Sequence, residues 1–439
     1  MTRSVQMRSL GGFSLLALSL SGAGGMLAVL AARVVPDLAP LLLVGMVAVV
    51  PVIAFGLARF HTLVFLAIAS SSLVRREPAP IDLMVPLLLV LGILTGRLSL
   101  KGVERSSLIH ACLGLFIAIN LISLLVAHDL TYASRYLAIT LYLIGLAYFV
   151  MFYVTSAERM RLVLSGYLTA ALISVAMVGG ELLGLIPTRE FFVRESRAVA
   201  FFKDANVFAP FLVLPIVFLV DELLRPHLFP GRFWLKIGAI LSLSAGVFLA
   251  FSRAAWANLA VSLVVYLMLS APALSLRQWA RLLLPALTGV TVLAGLIIQL
   301  NLVSFLLWRA RPLQTYDTDR FGIQAEGIEA GLSHLFGIGP GMLSNAHSLY
   351  VRTFAEYGIF GLITLLVVIL VPLYYCLRCA CSDTDRVYGL SARVVSASMI
   401  GLLLNSVVID TIHWRSFWIM ASLCWIAAMV HVSRKRNQG

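Results

Sequence analysis

Of the 439 residues, 61% are hydrophobic and 12% charged, where a soluble domain carries roughly a quarter charged residues. With a mean hydropathy of +0.98, this excludes a soluble globular enzyme, a disordered chain and a disulfide-rich secreted module, and leaves an integral membrane protein of many spans. The excess of 33 Lys and Arg over 20 Asp and Glu would suggest nucleic acid in a soluble protein; here it is read as topology, because basic residues mark cytoplasmic loops.

The first apolar run, 10–32, follows a short basic stretch. It is long enough to cross a bilayer and has no clear cleavage site, so it reads as a span rather than a signal peptide. Further candidate spans follow at 38–57, 60–74, 81–96, 108–127, 136–154, 160–183, 206–220, 234–251, 254–271, 282–300, 358–377, 394–410 and 415–433. The run 60–74 is short, and losing it with a neighbour turns fourteen spans into twelve. The expected fold is an all-α polytopic transmembrane bundle, a single integral membrane domain over 1–439.

With the N-terminus inside, nineteen basic residues fall in inside loops and fourteen outside. Eight of those fourteen belong to two segments: Arg189, Arg194, Arg197 and Lys203 in one, Arg309, Arg311, Arg320 and Arg352 in the other. Set apart, they leave a strong inside bias, with both termini inside. The two exceptions become the informative feature: a basic outer loop over 187–205 and a long outer loop over 301–357.

The long loop has helical periodicity, with Phe321, Ile328, Leu332 and Leu335 on one face and Glu326 and Glu329 on another. Asp319 is the expected cap at its start. Gly337, Gly339 and Gly341 then break the helix in a tight turn expected to expose backbone N–H groups. A second short helix is expected over Ala346–Tyr357, capped by Asn345 or Ser344 and stopped by Gly358, with His347, Tyr350, Val351 and Phe354 on one side.

Arg194, Arg197 and Lys203 lie just before a span, and Arg253 sits between two spans with almost no loop between them. Arginine near hydrocarbon is costly unless paired or hydrated. Several such cations at one face point to an anionic ligand, and the guanidinium fork suits phosphate oxygens. The competing reading is headgroup anchoring, or pairing with Glu190, Glu195 and Asp204. His347 has the chemistry of a general base near neutral pH, or is structural. Glu356 is at i, i+4 from Arg352 and stands either as a functional carboxylate or as its partner.

Two Asp-Thr-Asp stretches, 317–319 and 383–385, have the form of a divalent-ion site, but they fall on opposite sides; capping is the better reading of the first, and no metal is expected. Cys376, Cys379 and Cys381 cluster without a fourth ligand. No zinc-protease, serine-hydrolase or P-loop motif is present. Ionisable residues within spans are scarce, which counts against an ion-coupled transporter.

Three stretches carry a resemblance to the O-antigen ligase and polymerase superfamily of bacterial membrane glycosyltransferases. "RAVAFFKDANVFAPFLVLP" (197–215) resembles the family's Arg-x-x-Gly-x-Phe-x-x-Pro-Asn before a span. "FSRAAWANLAVSLVV" (251–265) resembles its Ser-Arg before a span. Residues 320–362 are similar to its loop with Arg, a glycine turn, His-Asn-x-Tyr and Glu-x-Gly. Ala200 stands where the family often has Gly, Ala205 for Pro and Ser348 for Asn.

The resemblance implies transfer of a glycan from an undecaprenyl-diphosphate carrier to an acceptor hydroxyl. The acceptor is another carrier-linked glycan, the lipid A core or a protein. The reaction would take place at the periplasmic face of the inner membrane, by a metal-independent inverting displacement without cofactor. It assigns Arg197, Arg253 and His347 to catalysis. Arg194, Lys203, Asn206, Arg320, Tyr350 and Glu356 are expected to bind the diphosphate or the acceptor. A polytopic anion or solute transporter of the same superfamily is the alternative.

Overall fold

The computed structural model describes residues 58–99, 107–188, 190–299, 303–304, 307 and 315–436. The expected spans 10–32 and 38–57, and Arg189, Arg309 and Arg311, lie outside the described residues. Contacts divide the chain into two units: Met1–Val64 with Leu87–Arg97, and Phe65–Pro86 with Leu98–Gly439. In the smaller unit Phe60 is buried and the Arg97 guanidinium lies over its ring. Every interaction described below belongs to the larger unit.

The helices are α1 (Phe60–Ala69), α2 (Pro80–Leu94), α3 (Ser107–Val126), α4 (Leu130–Tyr153), α5 (Ala157–Leu182), α6 (Ala205–Phe211), α7 (Val213–Leu224) and α8 (Phe233–Leu249). There follow α9 (Arg253–Ser270), α10 (Leu276–Gln299), α11 (Thr315–Ser333), α12 (Leu349–Ala380), α13 (Ala392–Asn405) and α14 (Arg415–Arg436). Two short antiparallel hairpins, β1–β2 (Val193–Arg194 and Arg197–Ala198) and β3–β4 (Arg386–Val387 and Leu390–Ser391), complete the described elements. The protein is thus an all-α polytopic bundle. Six helical stretches are long and apolar enough to cross a membrane, and five apolar helices are shorter, among the described residues.

The core sits around α7, whose residues are all buried, and α14. Two carboxylates in α7 are therefore costly unless bonded. Asp221 accepts from Arg225, Arg386 and the Tyr266 hydroxyl, and Glu222 accepts from the backbone N–H groups of His227, Leu228 and Phe229. Asp385, in the second Asp-Thr-Asp stretch, accepts from Arg225 and Ser391 and lies 3.3 Å from Arg393. That stretch is part of a structural ion network. Arg434 and Gln278 join the same end through the Thr384 and Leu224 carbonyls. The opposite end gathers residues 74–82, 188, 190–206, 250–253, 337–357 and 406–416.

Helix α9 packs closely on α13. A Cβ at Gly401 would lie 2.1 Å from Ser262 Oγ and 2.6 Å from the Asn258 carbonyl oxygen. Small residues that let backbones approach are a main source of helix association in a bilayer, where helix and lipid are equally apolar. Gly401→Leu is expected to cost about 1–3 kcal/mol, read as a lower Tm of the purified protein; an unchanged Tm contradicts this packing.

Candidate functional site

The polypeptide leaving α5 is fixed by Glu181. Its carboxylate accepts from the N–H groups of Phe191 (3.1 Å) and Phe192 (2.6 Å) and from the Thr188 hydroxyl (3.2 Å). The Phe192 carbonyl then accepts from the N–H groups of Val199 and Ala200, closing the β1–β2 hairpin. Its turn residues Glu195 and Ser196 have φ of 49° and 61°, the left-handed pair of a tight hairpin turn. Ala200, where the resembled family often has Gly, also has a left-handed φ of 49°.

Arg197 opens β2. Its Nε donates to the Ala250 carbonyl at 3.0 Å and its Nη2 to Asn206 Oδ1 at 3.1 Å. The same Asn206 oxygen accepts from Ser252 Oγ at 2.8 Å. Asn206 is buried at the start of α6, which Asp204 caps by accepting from the Asn206 N–H at 2.8 Å. Ser252 is the cap of α9, its hydroxyl accepting from the Ala255 N–H, and Arg253 is the first residue of that helix. The basic hairpin and the start of α6, nine positions apart, are thereby joined to the distant α8–α9 turn.

The electrostatic consequence is specific. The N-terminus of a helix carries the positive end of its dipole and unpaired N–H groups, so a cation there is ill placed and an anion well placed. Here Arg253 occupies the N-terminus of α9, and Arg197 is bonded to the turn that precedes it.

His347 enters from the long loop with a left-handed φ of 48°. Its carbonyl accepts from Gln324 Nε2 of α11 at 3.1 Å, and two residues on the Leu349 N–H donates to the Ser406 carbonyl at 3.0 Å. Burial and the nearby Arg320 cation lower the His347 pKa below the ordinary value, while the Asp204 and Asp410 carboxylates oppose this. These groups place His347 in electrostatic reach of the α6 cap. His413, in the loop before α14, is pushed down to about 4 by burial, so it is neutral.

Several expectations for the long loop need correction. Helix α11 begins at Thr315, so Asp319 lies inside it and is no cap. Phe321, Ile328, Leu332 and Leu335 are exposed, and the packed face is formed by Ile323, Gly327, Ala330 and Gly331 against Leu343, Val351, Phe354 and Ala355. The following helix begins at Leu349 with Ser348 as its cap, so His347 is outside it; neither Asn345 nor Ser344 caps it. Gly358 does break it, with φ 67° and ψ −169°. The glycine turn does not offer free N–H groups at its centre: those of Ile338 and Gly339 donate to the Ala355 and Glu356 carbonyls.

The remaining expected binding residues are dispersed. Glu356 is fully buried and paired with Arg352, whose Nε also lies 2.7 Å from Asp410. Tyr350 donates its hydroxyl to the Leu403 carbonyl at 3.0 Å. Lys203 pairs with Glu77 at 2.9 Å, and Arg194 is exposed on the hairpin. Asp317's side chain lies outside the described residues. No group of three His, Cys, Asp or Glu converges as a metal site among the described residues.

Ser252, Asp204, Gln324 and Asp410 were not singled out for the site. Ser252 and Asp204 did carry a signal, since each is a capping residue type just before an apolar run. Gln324 carried none.

No family model matches the chain, and no curated protein matches it. Fold and site together define a class: a polytopic all-α membrane protein with a cationic, polar cluster built from four loops at one end of its bundle.

The hairpin turn has exposed, non-glycine residues in a conformation that favours glycine. Ser196→Gly is expected to stabilise the hairpin by about 1 kcal/mol, slowing amide exchange over Val193–Ala198 by about fivefold. Faster exchange contradicts the turn geometry.

Proposed function

We propose that this protein is a membrane glycosyltransferase. It moves a glycan from an undecaprenyl-diphosphate carrier to an acceptor hydroxyl at the periplasmic face of the bacterial inner membrane, as an O-antigen ligase or surface-polysaccharide polymerase. The observation that supports it most is the Asn206 oxygen shared by Arg197 and Ser252, which sets two arginines at one helix N-terminus. A lipid diphosphate leaving group is a dianion or more at the membrane surface, and it calls for fixed donors of this kind.

In this reading Arg197 and Arg253 hold the diphosphate and stabilise the charge that grows on its bridging oxygen. The acceptor oxygen attacks the anomeric carbon from the face opposite the carrier. Its bond to carbon forms as the bond from carbon to the diphosphate oxygen breaks, with that electron pair passing to the diphosphate. His347 takes the acceptor proton and later releases it to solvent. One displacement inverts the anomeric centre, and the step needs neither metal nor cofactor. Arg320 keeps His347 neutral by raising the cost of its protonation. Glu356, Arg352 and Asp410 support the loop from inside, and Tyr350 ties it to α13.

The test is incubation of purified protein with synthetic undecaprenyl-diphosphate glycan and three acceptors: a carrier-linked glycan, a lipid A core and a Ser/Thr peptide. Arg197→Ala, Arg253→Ala and His347→Ala should each lower transfer by about 100-fold or more while inserting and purifying normally. Arg253→Lys should also be impaired, since an ammonium lacks the planar fork. A general base works deprotonated, and a lowered pKa keeps it so at neutral pH. Transfer should therefore hold through pH 7 and fall only on acidification below the ordinary histidine value near 6.5. Arg320→Gln should move that acid limb upward. Near-normal transfer by all three alanine variants refutes the site. Solute flux into vesicles free of lipid-linked glycan would instead favour a transporter.

A further inference from the structure

Helix α11 has three flanks of different chemistry. One packs on protein. Four successive contacts, Gln324 to His347, Gly327 to Val351, Gly331 to Phe354 and Leu335 to Gly358, lay it alongside the first part of α12 and in the same direction. A second flank carries Phe321, Ile328, Leu332 and Leu335, which are 51%, 45%, 75% and 57% exposed. At the pitch of an α-helix these four fall within an arc of about 60°. The third flank, on the far side from them, carries Asp319, Glu326, Glu329 and Ser333, all exposed.

The depth of this helix follows from its neighbour. The first part of α12 is joined at its start to the end of α13, where the Leu349 N–H donates to the Ser406 carbonyl and the Tyr350 hydroxyl to the Leu403 carbonyl. Near Gly358 it is joined to the last turn of α3, where Ser123 donates to the Glu356 carbonyl. It therefore runs from one helix end to another across the end of the bundle, and α11 beside it follows that end rather than rising into water. At Gly358 α12 breaks and enters its apolar run. There the Phe336 ring lies 5.8 Å from that of Phe360, and the exposed side of α12 continues through Ile359, Ile363 and Leu370. Exposed apolar residues along a spanning helix face lipid. The apolar flank of α11 is continuous with that surface at Leu335 and Phe336.

We propose that α11 is an interfacial helix, its Phe321, Ile328, Leu332 and Leu335 flank seated among the acyl chains at the border of the leaflet on this side of the bundle and its acidic flank turned to water. A helix with an apolar stripe beside a charged one lies in the plane of the interface. The charged stripe holds Asp319, Glu326 and Glu329, so the seat is hydrophobic and owes nothing to attraction by anionic headgroups. Gln324, on the packed flank, donates to the His347 carbonyl, and through it the seated helix holds the loop that carries His347. The lipid contact stands whether or not the protein is a transferase.

The experiment is spin labelling of the purified full chain in vesicles of phosphatidylethanolamine and phosphatidylglycerol. Cys112 and Cys381, the native thiols that are not buried, are replaced by serine. Single labels are then introduced through Ile328→Cys, Leu332→Cys, Glu326→Cys and Glu329→Cys, with Ile363→Cys as the lipid-facing reference. All five side chains are exposed, so no label displaces a packed residue. Labels at Ile328 and Leu332 should collide with oxygen in preference to a water-soluble nickel complex, as at Ile363, and those at Glu326 and Glu329 should show the reverse. The same pattern is expected in phosphatidylcholine alone. Water-like collision at Ile328 and Leu332 overturns the seat. Spin–spin broadening between copies there gives the flank to a second chain and overturns it too. Loss of the pattern without phosphatidylglycerol overturns its hydrophobic character. Ile328→Asp combined with Leu332→Asp should speed amide exchange at Gln324 and Leu349 in vesicles by about tenfold or more. Unchanged exchange overturns the hold on the His347 loop.

Discussion

A single side-chain oxygen, Asn206 Oδ1, lies between the guanidinium of Arg197 and the hydroxyl of Ser252. These two donors are 55 positions apart in the chain. The acceptor is buried, so neither donor can trade it for water without cost. Its position is set in turn by the Asp204 cap of α6, and Ser252 is itself the cap of α9. The geometry of the cationic cluster is thus inherited from two helix starts. Two arginines therefore stand at or next to the start of α9, one as its first residue and one bonded to the turn before it.

The rest of the bundle serves that end by holding the helices that carry it. At the far end the carboxylates of α7 accept from arginine, tyrosine and backbone donors, which fixes a helix buried on every side. The contact of α9 with α13 at Gly401 fixes the helix that starts at Arg253. Glu356 and Arg352 fill the interior under the long loop. There the broken helix at Gly358 lets Leu335 and Gly337 approach the backbone more closely than any side chain would permit. Charged residues in this protein therefore divide by partner. Those within the bundle are paired to hold it together, and Arg197 at the cluster is bonded to the loop that leads into α9 and to the start of α6.

How far the sequence was legible follows the same division. Apolar runs marked the helices from 60 onward, because length and hydropathy report the solvent a segment prefers. Asp204 and Ser252 cap helices whose apolar runs were legible although the caps were not singled out, and the helix expected to start behind Asn345 or Ser344 is capped by Ser348. In the long loop the expected helix is present as α11, but its cap was misplaced, since Asp319 lies inside it. Its apolar residues Phe321, Ile328 and Leu332 are exposed. The face of α11 that packs on protein is its small-residue stripe, Gly327, Ala330 and Gly331, as close helix approach demands. Arg197, Arg253 and His347 were singled out through motif and charge. The Asn206–Ser252 bridge was not, since the two residues are 46 positions apart in the chain. Glu356 and Tyr350, expected as ligands by type, are bonded to Arg352 and to the Leu403 carbonyl.

The most direct measurement is an experimental structure of the protein with a polyprenyl diphosphate bound. The account predicts phosphate oxygens within hydrogen-bond distance of both Arg197 and Arg253, with the Asn206 bridge intact and His347 on the side away from the carrier. Phosphates seated instead among Arg225, Arg386 and Arg393 at the other end of the bundle, or held by neither Arg197 nor Arg253, would contradict it.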